Sequence, residues 1–266
     1  MYARTFSTLG CSELSLDEAV ALGRRNGIAQ LELRALAGTL DLPAYFAANF
    51  DSPAALAAKI ASAGARVVAL DTSLRVADGS AADRASLLEF LPWAEALGVR
   101  WLRAFDGGGT LDDATLAKAA ETLSWWQSIR GERMLNVDLM IETHDVLLDA
   151  ARIKRFIAAM PRDSVRLLWD AHHTWKKSGE DPRFTWNGIK PHVVHVHVKD
   201  SVSIPTARHP FTYVLPGTGE FPMAALRETL AAEFSGALSL EWERLWHPDL
   251  PALEDALRSA AEQRWW

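Results

Sequence analysis

The sequence predicts a single-domain α/β protein, a (β/α)8 TIM barrel, over residues 1–266. Three observations support this prediction: the length, an alternation of eight strand-like runs with helical stretches, and polar side chains at the ends of the last four runs. A chain of 266 residues is close to the ~250 typical of such barrels. No linker or abrupt change of composition divides the chain, so one domain is the simplest interpretation.

Eight short apolar runs, bounded by turn residues, predict the strands. They are Ala3–Thr8, Gln30–Arg34, Arg66–Leu70, Arg100–Phe105, Asp138–Thr143, Val165–Asp170, Val193–Lys199 and Ala237–Glu243. Strands separated by helices pair in parallel through right-handed crossovers, and eight such units favour a closed barrel. An open doubly wound sheet would place a glycine-rich phosphate loop after an early strand, and Leu9–Ser12 is not such a loop.

Amphipathic stretches between these runs predict the helices. They are Leu16–Asn26, Ser52–Ala63, Ser86–Leu97, Leu111–Arg130, Leu147–Met160, Met223–Glu233 and Leu253–Arg264. The sixth connection, around Phe184–Lys190, is expected to be short and irregular. Local signals support two helix starts: Ser15 and Glu18 form a capping-box pattern, and Ser52 precedes a proline at the first helical position.

Polar residues occupy one face of each of the last four predicted strands. Side chains alternate along a strand, so residues that share a face can be identified from their spacing. These polar residues are Glu142, His144, Asp170, His195, His197, Lys199, Glu241 and Glu243. Buried parallel strands are normally apolar on both faces, and barrel enzymes build their active sites at the carboxyl ends of the strands. The pattern therefore predicts an active site at that end.

Four of these residues are the candidate ligands of one divalent metal ion: Glu142, Asp170, His197 and Glu241. Three carboxylates close together in a barrel are costly unless a cation neutralises them. An oxygen-rich set with one imidazole suits Mn²⁺ first, with Mg²⁺ and Co²⁺ as alternatives. The competing interpretation is a buried ion-pair network without metal, for which three residues offer counter-charges: Arg34, Arg103 and Lys199.

The composition limits which binding partners and which cellular compartment are expected for the protein. A net charge of -6 and a pI near 5.8 argue against nucleic acid as a dedicated partner. No apolar run is long enough for a membrane span. The single cysteine, Cys11, excludes an intramolecular disulfide, and residues 1–10 lack the apolar core of a signal peptide, so a cytoplasmic protein is expected. The apolar end Arg264–Trp266 packs either on the barrel or on a partner, which leaves a homo-oligomer open.

Several motifs resemble the xylose isomerase-like TIM barrel superfamily, often called the sugar phosphate isomerase/epimerase family. The segments are Ile141–His144, Trp169–His173, His195–Asp200, Leu215–Phe221 and Ser239–Glu243. The resemblance covers nearly the whole chain. It implies the same four metal ligands, from the fifth to the eighth strands, and it matches His173 to a substrate contact and Lys199 to the lysine of the His-x-Lys-Asp motif.

The resemblance implies a metal-dependent isomerase or epimerase that removes a proton next to a carbonyl of a small carbohydrate or polyol-derived substrate. In ketose epimerases of the family the two metal-bound glutamates are the bases, and these match Glu142 and Glu241. Their fifth strand usually carries Glu-Pro, whereas Thr143 and His144 follow here. His144 resembles the base of the dehydratase and eliminase branch, so a lyase acting on a keto-sugar, inosose or dehydroshikimate-like substrate is the alternative. His144 could also be a substrate hydrogen-bond donor.

Further polar and aromatic residues near the strand ends are candidate substrate contacts: Glu32, Arg34, Arg103, His173, Lys199 and Trp246. Two other functions are disfavoured. Endonuclease IV-like DNA repair needs extra metal-binding histidines from the third and fourth strands, which offer Asp71, Arg103 and Phe105 instead. A non-catalytic sugar-binding barrel would not need all four ligand positions intact.

Overall fold

Eight parallel strands close into a barrel in the computed structural model, which describes residues 1–207 and 209–266. The described residues form ten strands in all: β1 (Ala3–Ser7), β2 (Gln30–Leu33), β3 (Arg66–Arg75), β4 (Trp101–Phe105), β5 (Asp138–Glu142), β6 (Leu167–Asp170), β7 (Val193–Val198), β8 (Asp200–Val202), β9 (Thr212–Val214) and β10 (Ala237–Leu240). Around the barrel the order is β1-β10-β7-β6-β5-β4-β3-β2, and β8 and β9 form a separate antiparallel hairpin. The predicted fold is confirmed.

Helices follow the barrel strands and cover the outside of the sheet. They are α1 (Leu16–Arg25), α2 (Leu42–Asn49), α3 (Pro53–Ser62), α4 (Ala81–Glu89), α5 (Leu91–Leu97), α6 (Asp113–Arg133), α7 (Ala150–Ala159), α8 (Ala171–Ser178), α9 (Pro182–Ile189), α10 (Met223–Glu233) and α11 (Leu253–Glu262). The capping box of Ser15 and Glu18 starts α1, and the Ser52 hydroxyl accepts the Ala55 N–H at the start of α3. Both predicted starts are confirmed.

The sixth connection contradicts the prediction of a short irregular segment around Phe184–Lys190. It contains α8 and α9, each eight residues long, followed by a 3-10 turn. Each helix starts with an aspartate cap, and Asp181 is followed by a proline at the first helical position. Eight residues give little more than two turns, too few for a clear helical period, so the caps were the usable signal.

The helix predicted over Ser86–Leu97 is in fact two helices, α4 and α5, which meet at Phe90. Pro92 is at the start of α5, where its missing N–H costs nothing, whereas inside one continuous helix it would remove a hydrogen bond. The capping box of Ser80 and Asp83 starts α4 at Ala81, five residues before the predicted start.

Two hydrophobic layers hold the barrel. Inside it, below the polar strand ends, Ala69, Met140 and Leu168 pack together, while the larger core fills the space between sheet and helices. Trp265 and Trp266 are buried in that outer core, so the apolar C-terminus packs on the barrel itself. No helix among the described residues has both the length and the apolar character needed to cross a membrane.

Gly10, in the turn after β1, packs tightly against Trp242, which lies between Glu241 and Glu243 at the barrel mouth. A Cβ on Gly10 would lie 2.8 Å from Trp242 Cβ and 2.9 Å from the Trp242 carbonyl oxygen, neither of which can move freely. We expect Gly10→Ala to destabilise the fold by about 1–3 kcal/mol, the usual cost of overpacking, measured by chemical unfolding. Gly109→Ala is the matched control, because a Cβ there meets nothing within 4 Å. Equal unfolding midpoints for the two variants would contradict this packing argument.

Candidate functional site

Four strand ends bring the predicted metal ligands together at the barrel mouth. Glu142 ends β5, Asp170 ends β6, His197 lies in β7 and Glu241 directly follows β10. One ligand atom from each residue lies within 4.8 Å of the others, and all four residues are buried. The sequence prediction that these side chains converge is therefore met by the geometry.

His197 is the central residue of this group. Its Nδ1 lies 3.3 Å from Glu241 Oε2 and 3.7 Å from Glu142 Oε1, whereas its Nε2 lies 2.8 Å from Glu32 Oε1. One ring nitrogen therefore faces the carboxylate group while the other is held from behind. A carboxylate behind the imidazole is the usual means by which proteins orient a metal-binding histidine.

A second polar layer lies deeper in the barrel. Glu32 Oε2 is 2.6 Å from His195 Nε2, so this one carboxylate holds both histidines of β7. Burial and the neighbouring charge of Glu32 raise the pKa of Asp71 well above its usual range. Glu32, expected to contact substrate, is completely buried and engaged by His195 and His197. This position suits support of His197 better than contact with a substrate.

Two arginines approach the ligand group from β2 and β4. Arg103 Nε is 3.3 Å from Glu142 Oε2, and its guanidinium lies 3.9 Å from the centre of the Phe105 ring. Arg34 donates to the Asp71 carbonyl oxygen and to the Ser73 hydroxyl. Burial, with the nearby charge of Arg103, lowers the pKa of Arg34 to about 10. Both candidate substrate contacts are thus already occupied with protein groups.

Lys199 is the third cation at the site. Its Nζ lies 2.7 Å from Asp170 Oδ2 and 2.7 Å from Glu243 Oε1, and it also contacts the Glu241 carboxylate. Burial opposes its charge, but Asp170, Glu241 and Glu243 together raise the pKa of Lys199 well above its usual range. The Tyr213 hydroxyl donates to Glu243 at 2.9 Å. Lys199 is therefore charged and shared between two candidate ligands and Glu243.

The charges of the site do not balance without a further cation. Apart from Asp71, whose pKa is raised, five carboxylates (Glu32, Glu142, Asp170, Glu241 and Glu243) surround three cations (Arg34, Arg103 and Lys199). Burial alone would lower the pKa of His197, yet the charges of Glu241 and Glu32 raise it well above its usual value. A proton on His197 therefore supplies part of the missing positive charge. His197 Nδ1 and Asp170 Oδ2 are buried without a partner in hydrogen-bond geometry. The ligand atoms of these residues fit a divalent cation, which would displace the proton from His197.

His144 lies beyond Glu142 on the loop after β5, with 34% of its side chain exposed. Its ring centre is 5.0 Å from that of His173 and 4.8 Å from that of Phe105. Its Nδ1 lies 2.8 Å from Asp145 Oδ1, and Asp145 Oδ2 lies 3.0 Å from Arg75 Nη2. Burial alone would lower the pKa of His144, but the hydrogen bond with Asp145 and the charge of Glu142 raise it.

The remaining predicted contacts are at different depths. His173 is buried, with Nδ1 2.9 Å from Asp170 Oδ2 and Nε2 3.7 Å from Glu243 Oε1. Trp246 is 46% exposed and lines a cavity of about 530 Å³ together with Phe211 and Tyr213. His173 therefore lies within the site, whereas Trp246 lines an exposed cavity whose Tyr213 contacts Glu243.

Sequence reasoning missed Arg75, Asp106 and Asp145. The Asp106 carboxylate accepts backbone N–H groups from the loop after β5, at distances of 2.8 to 3.3 Å. Asp145 could have been noticed because it follows His144 directly. Asp106 carries no such signal, because its partners are backbone groups 38 to 41 residues away.

A family model described as xylose isomerase-like TIM barrel matches residues 20–264. The chain belongs to this family. Comparison with curated proteins finds no match. Among solved structures, the fold resembles the probable 3-DHS dehydratase AsbF of Bacillus anthracis, involved in petrobactin synthesis, with a TM-score of 0.77 and 16% identity over 98% of this chain and 99% of that one.

Two other solved structures share the fold. An IolI protein with a bound zinc atom has a TM-score of 0.73 and 18% identity over 98% of this chain and 96% of that one. An L-ribulose 3-epimerase has a TM-score of 0.69 and 19% identity over 99% of this chain and 92% of that one. At these identities the likeness establishes the barrel fold and leaves the reaction to the residues of the site.

The metal prediction is tested at Glu241, which keeps its shape but loses its charge when changed to glutamine. We expect Glu241→Gln to weaken Mn²⁺ binding by more than the roughly 10–100-fold typical of an outer-shell partner, measured by isothermal titration calorimetry. The exposed Glu228→Gln removes the same charge far from the site and should bind Mn²⁺ like the unaltered protein. Unchanged Mn²⁺ affinity in Glu241→Gln would exclude Glu241 as a ligand.

Proposed function

We propose that this protein is a metal-dependent enzyme that enolises a small carbohydrate or polyol-derived carbonyl compound. The observation that carries the proposal is the juxtaposition of a four-residue ligand group with a partly exposed imidazole, that of His144, at the barrel mouth. Sugar-converting enzymes among the structures with this fold support the choice of substrate class.

Glu142, Asp170, His197 and Glu241 would hold one divalent ion, with Glu32 keeping the His197 ring in place. Mn²⁺ is our first expectation, because three carboxylates and one imidazole form an oxygen-rich site, with Mg²⁺ and Co²⁺ as alternatives. When bound, such an ion polarises the substrate carbonyl and stabilises the negative charge that develops on its oxygen. Lys199 and Arg103 keep the ligand carboxylates charged and oriented.

His144 is the group best placed to remove the proton from the carbon next to the carbonyl. A neutral imidazole is a suitable base, and the raised pKa of His144 makes its neutral form a stronger one. Burial alone would raise the pKa of Glu142, but Arg103 and His197 lower it, which makes that carboxylate a poorer base. Glu241 contacts both Lys199 and His197. With these two carboxylates engaged, a single-base reaction is favoured over the two-carboxylate exchange of an epimerase.

Removal of the proton leads to one of two outcomes. If the proton returns to the same or a neighbouring carbon, the product is an epimer or isomer. If a hydroxyl or other group on the next carbon departs, the product is an unsaturated carbonyl compound. We favour elimination, because His144 offers one base on one side of the ligand group. His173, whose ring adjoins that of His144, is placed to contact the substrate, and Trp246 offers an aromatic face at the rim.

Deuterium exchange tests the reaction class. The protein is incubated in D2O with Mn²⁺ and a panel of ketoses, 3-keto sugars and cyclic polyol ketones, and NMR spectra are recorded after the metal is removed with a chelator. Deuterium next to the carbonyl, or loss of a leaving group, is the expected result. Absence of both across the panel, with Mn²⁺ shown to be bound, would contradict the proposal.

His144→Ala separates the base from the metal site. We expect kcat to fall by roughly 10²–10⁴-fold, the usual contribution of a general base, because alanine has no group that can accept the proton. Mn²⁺ affinity should stay within a few-fold, since the four ligands are unchanged, and calorimetry provides that control. A kcat equal to that of the unaltered protein would return the role of base to a carboxylate.

A further inference from the structure

We infer that Asp145 positions His144 as the base and that Arg75 and Asp106 hold this pair in place. The inference rests on the proposed function, in which His144 removes the proton. It assigns a role to three residues that lie outside the ligand group. The contacts that carry it are the short distance between the His144 and Asp145 side chains and the hydrogen bonds that fix the loop beneath them.

The orientation of the His144 ring follows from its contact with Asp145. An ionised carboxylate can only accept, so the 2.8 Å contact places the imidazole proton on Nδ1. The lone pair is then on Nε2, for which the described residues provide no hydrogen-bond partner. The rings of Phe105 and His173 each contact the His144 ring in an edge-to-face arrangement. The imidazole is therefore kept in the tautomer that can accept a proton from a substrate.

A contact between the side chains of adjacent residues needs an unusual backbone. In a strand, successive side chains point to opposite faces, so His144 and Asp145 could not meet if β5 continued. The chain instead bends after Glu142, and Asp106 stabilises the bend. Its completely buried carboxylate accepts the N–H groups of four consecutive residues, His144, Asp145, Val146 and Leu147. These bonds occupy the oxygens of the Asp106 carboxylate, so Asp106 orders the backbone of the loop. The His144 imidazole is contacted by Asp145 instead.

Arg75 fixes the other side of the Asp145 carboxylate. Its Nη2 is 3.0 Å from Asp145 Oδ2, and its Nε is 2.7 Å from Asp78 Oδ1, so one planar guanidinium joins two acidic side chains. An ion pair this exposed contributes little to stability. Its role here is geometric, because the charge of Arg75 attracts Oδ2 while Oδ1 of the same carboxylate contacts His144.

The proton transfer that this arrangement supports is balanced. The Nε2 lone pair forms a bond with the proton next to the substrate carbonyl, and the electron pair of the broken C–H bond moves into the enolate. His144 becomes an imidazolium whose positive charge faces Asp145, while the Nδ1 proton stays on the ring. Asp145 thus acts through His144 and does not itself receive the proton, which makes it a positioning residue.

Asp145→Asn tests the inference, because an amide keeps the shape of the side chain but can donate to Nδ1 and so favour the opposite tautomer. We expect kcat to fall by roughly 10²–10⁴-fold with little change in KM, as when the same change is made in a Ser-His-Asp triad. Asp145→Glu, which restores a carboxylate, should recover part of the loss. Asp163→Asn is the control: Asp163 is exposed, and its φ of 60° is one that asparagine tolerates.

A second readout does not depend on turnover. In Mg²⁺-loaded protein labelled with ¹⁵N-histidine, long-range ¹H–¹⁵N NMR at a pH where imidazole is neutral identifies the protonated nitrogen of His144. The unaltered protein and Asp163→Asn should carry the proton on Nδ1, and Asp145→Asn on Nε2. The same tautomer in all three proteins, or an unchanged kcat in Asp145→Asn, would overturn the inference. Failure of the unaltered protein to turn over any substrate would instead count against the proposed function, while the tautomer would still decide the role of Asp145.

Discussion

Repulsion among carboxylates buried at the carboxyl ends of β5, β6 and β10 is the constraint to which the rest of the barrel mouth responds. Glu142, Asp170 and Glu241 cannot stay ionised together in such a place without nearby positive charge. Arg103 and Lys199 supply part of this positive charge. Glu241 and Glu32 raise the pKa of His197 against the effect of burial, so a proton bound to His197 supplies more. A divalent ion, as we propose, would supply the same positive charge at the point where the four side chains meet.

Two carboxylates outside this group have complementary tasks. Glu32 supports His197 from deeper in the barrel, and Asp106 supports the loop that carries His144. Both are completely buried and both act on a residue of the mouth through hydrogen bonds. In our proposal the ligand group and the base therefore have separate supports, which allows either to be altered without displacing the other. Catalytic side chains generally need such supports to keep a productive geometry.

The sequence predicted the barrel and the convergence of the ligand group because both depend on periodic patterns: strands alternating with helices, and polar residues two apart near strand ends. It failed for α8 and α9, whose eight residues each are too few for a helical period. It also missed Asp106, whose partners are backbone groups that no residue pattern reveals. Glu32 was expected to contact substrate, whereas its burial beneath His197 depends on barrel register, which the spacing of residues within one strand does not define.

The central claim is that one divalent ion is bound by four strand ends. The most direct test is anomalous diffraction from crystals of the unaltered protein grown with Mn²⁺. Our account predicts a single anomalous peak enclosed by Glu142, Asp170, His197 and Glu241, with the Lys199 ammonium turned towards Glu243. Absence of a peak at that position, or a peak beside Asp106, His144 and Asp145 instead, would contradict it.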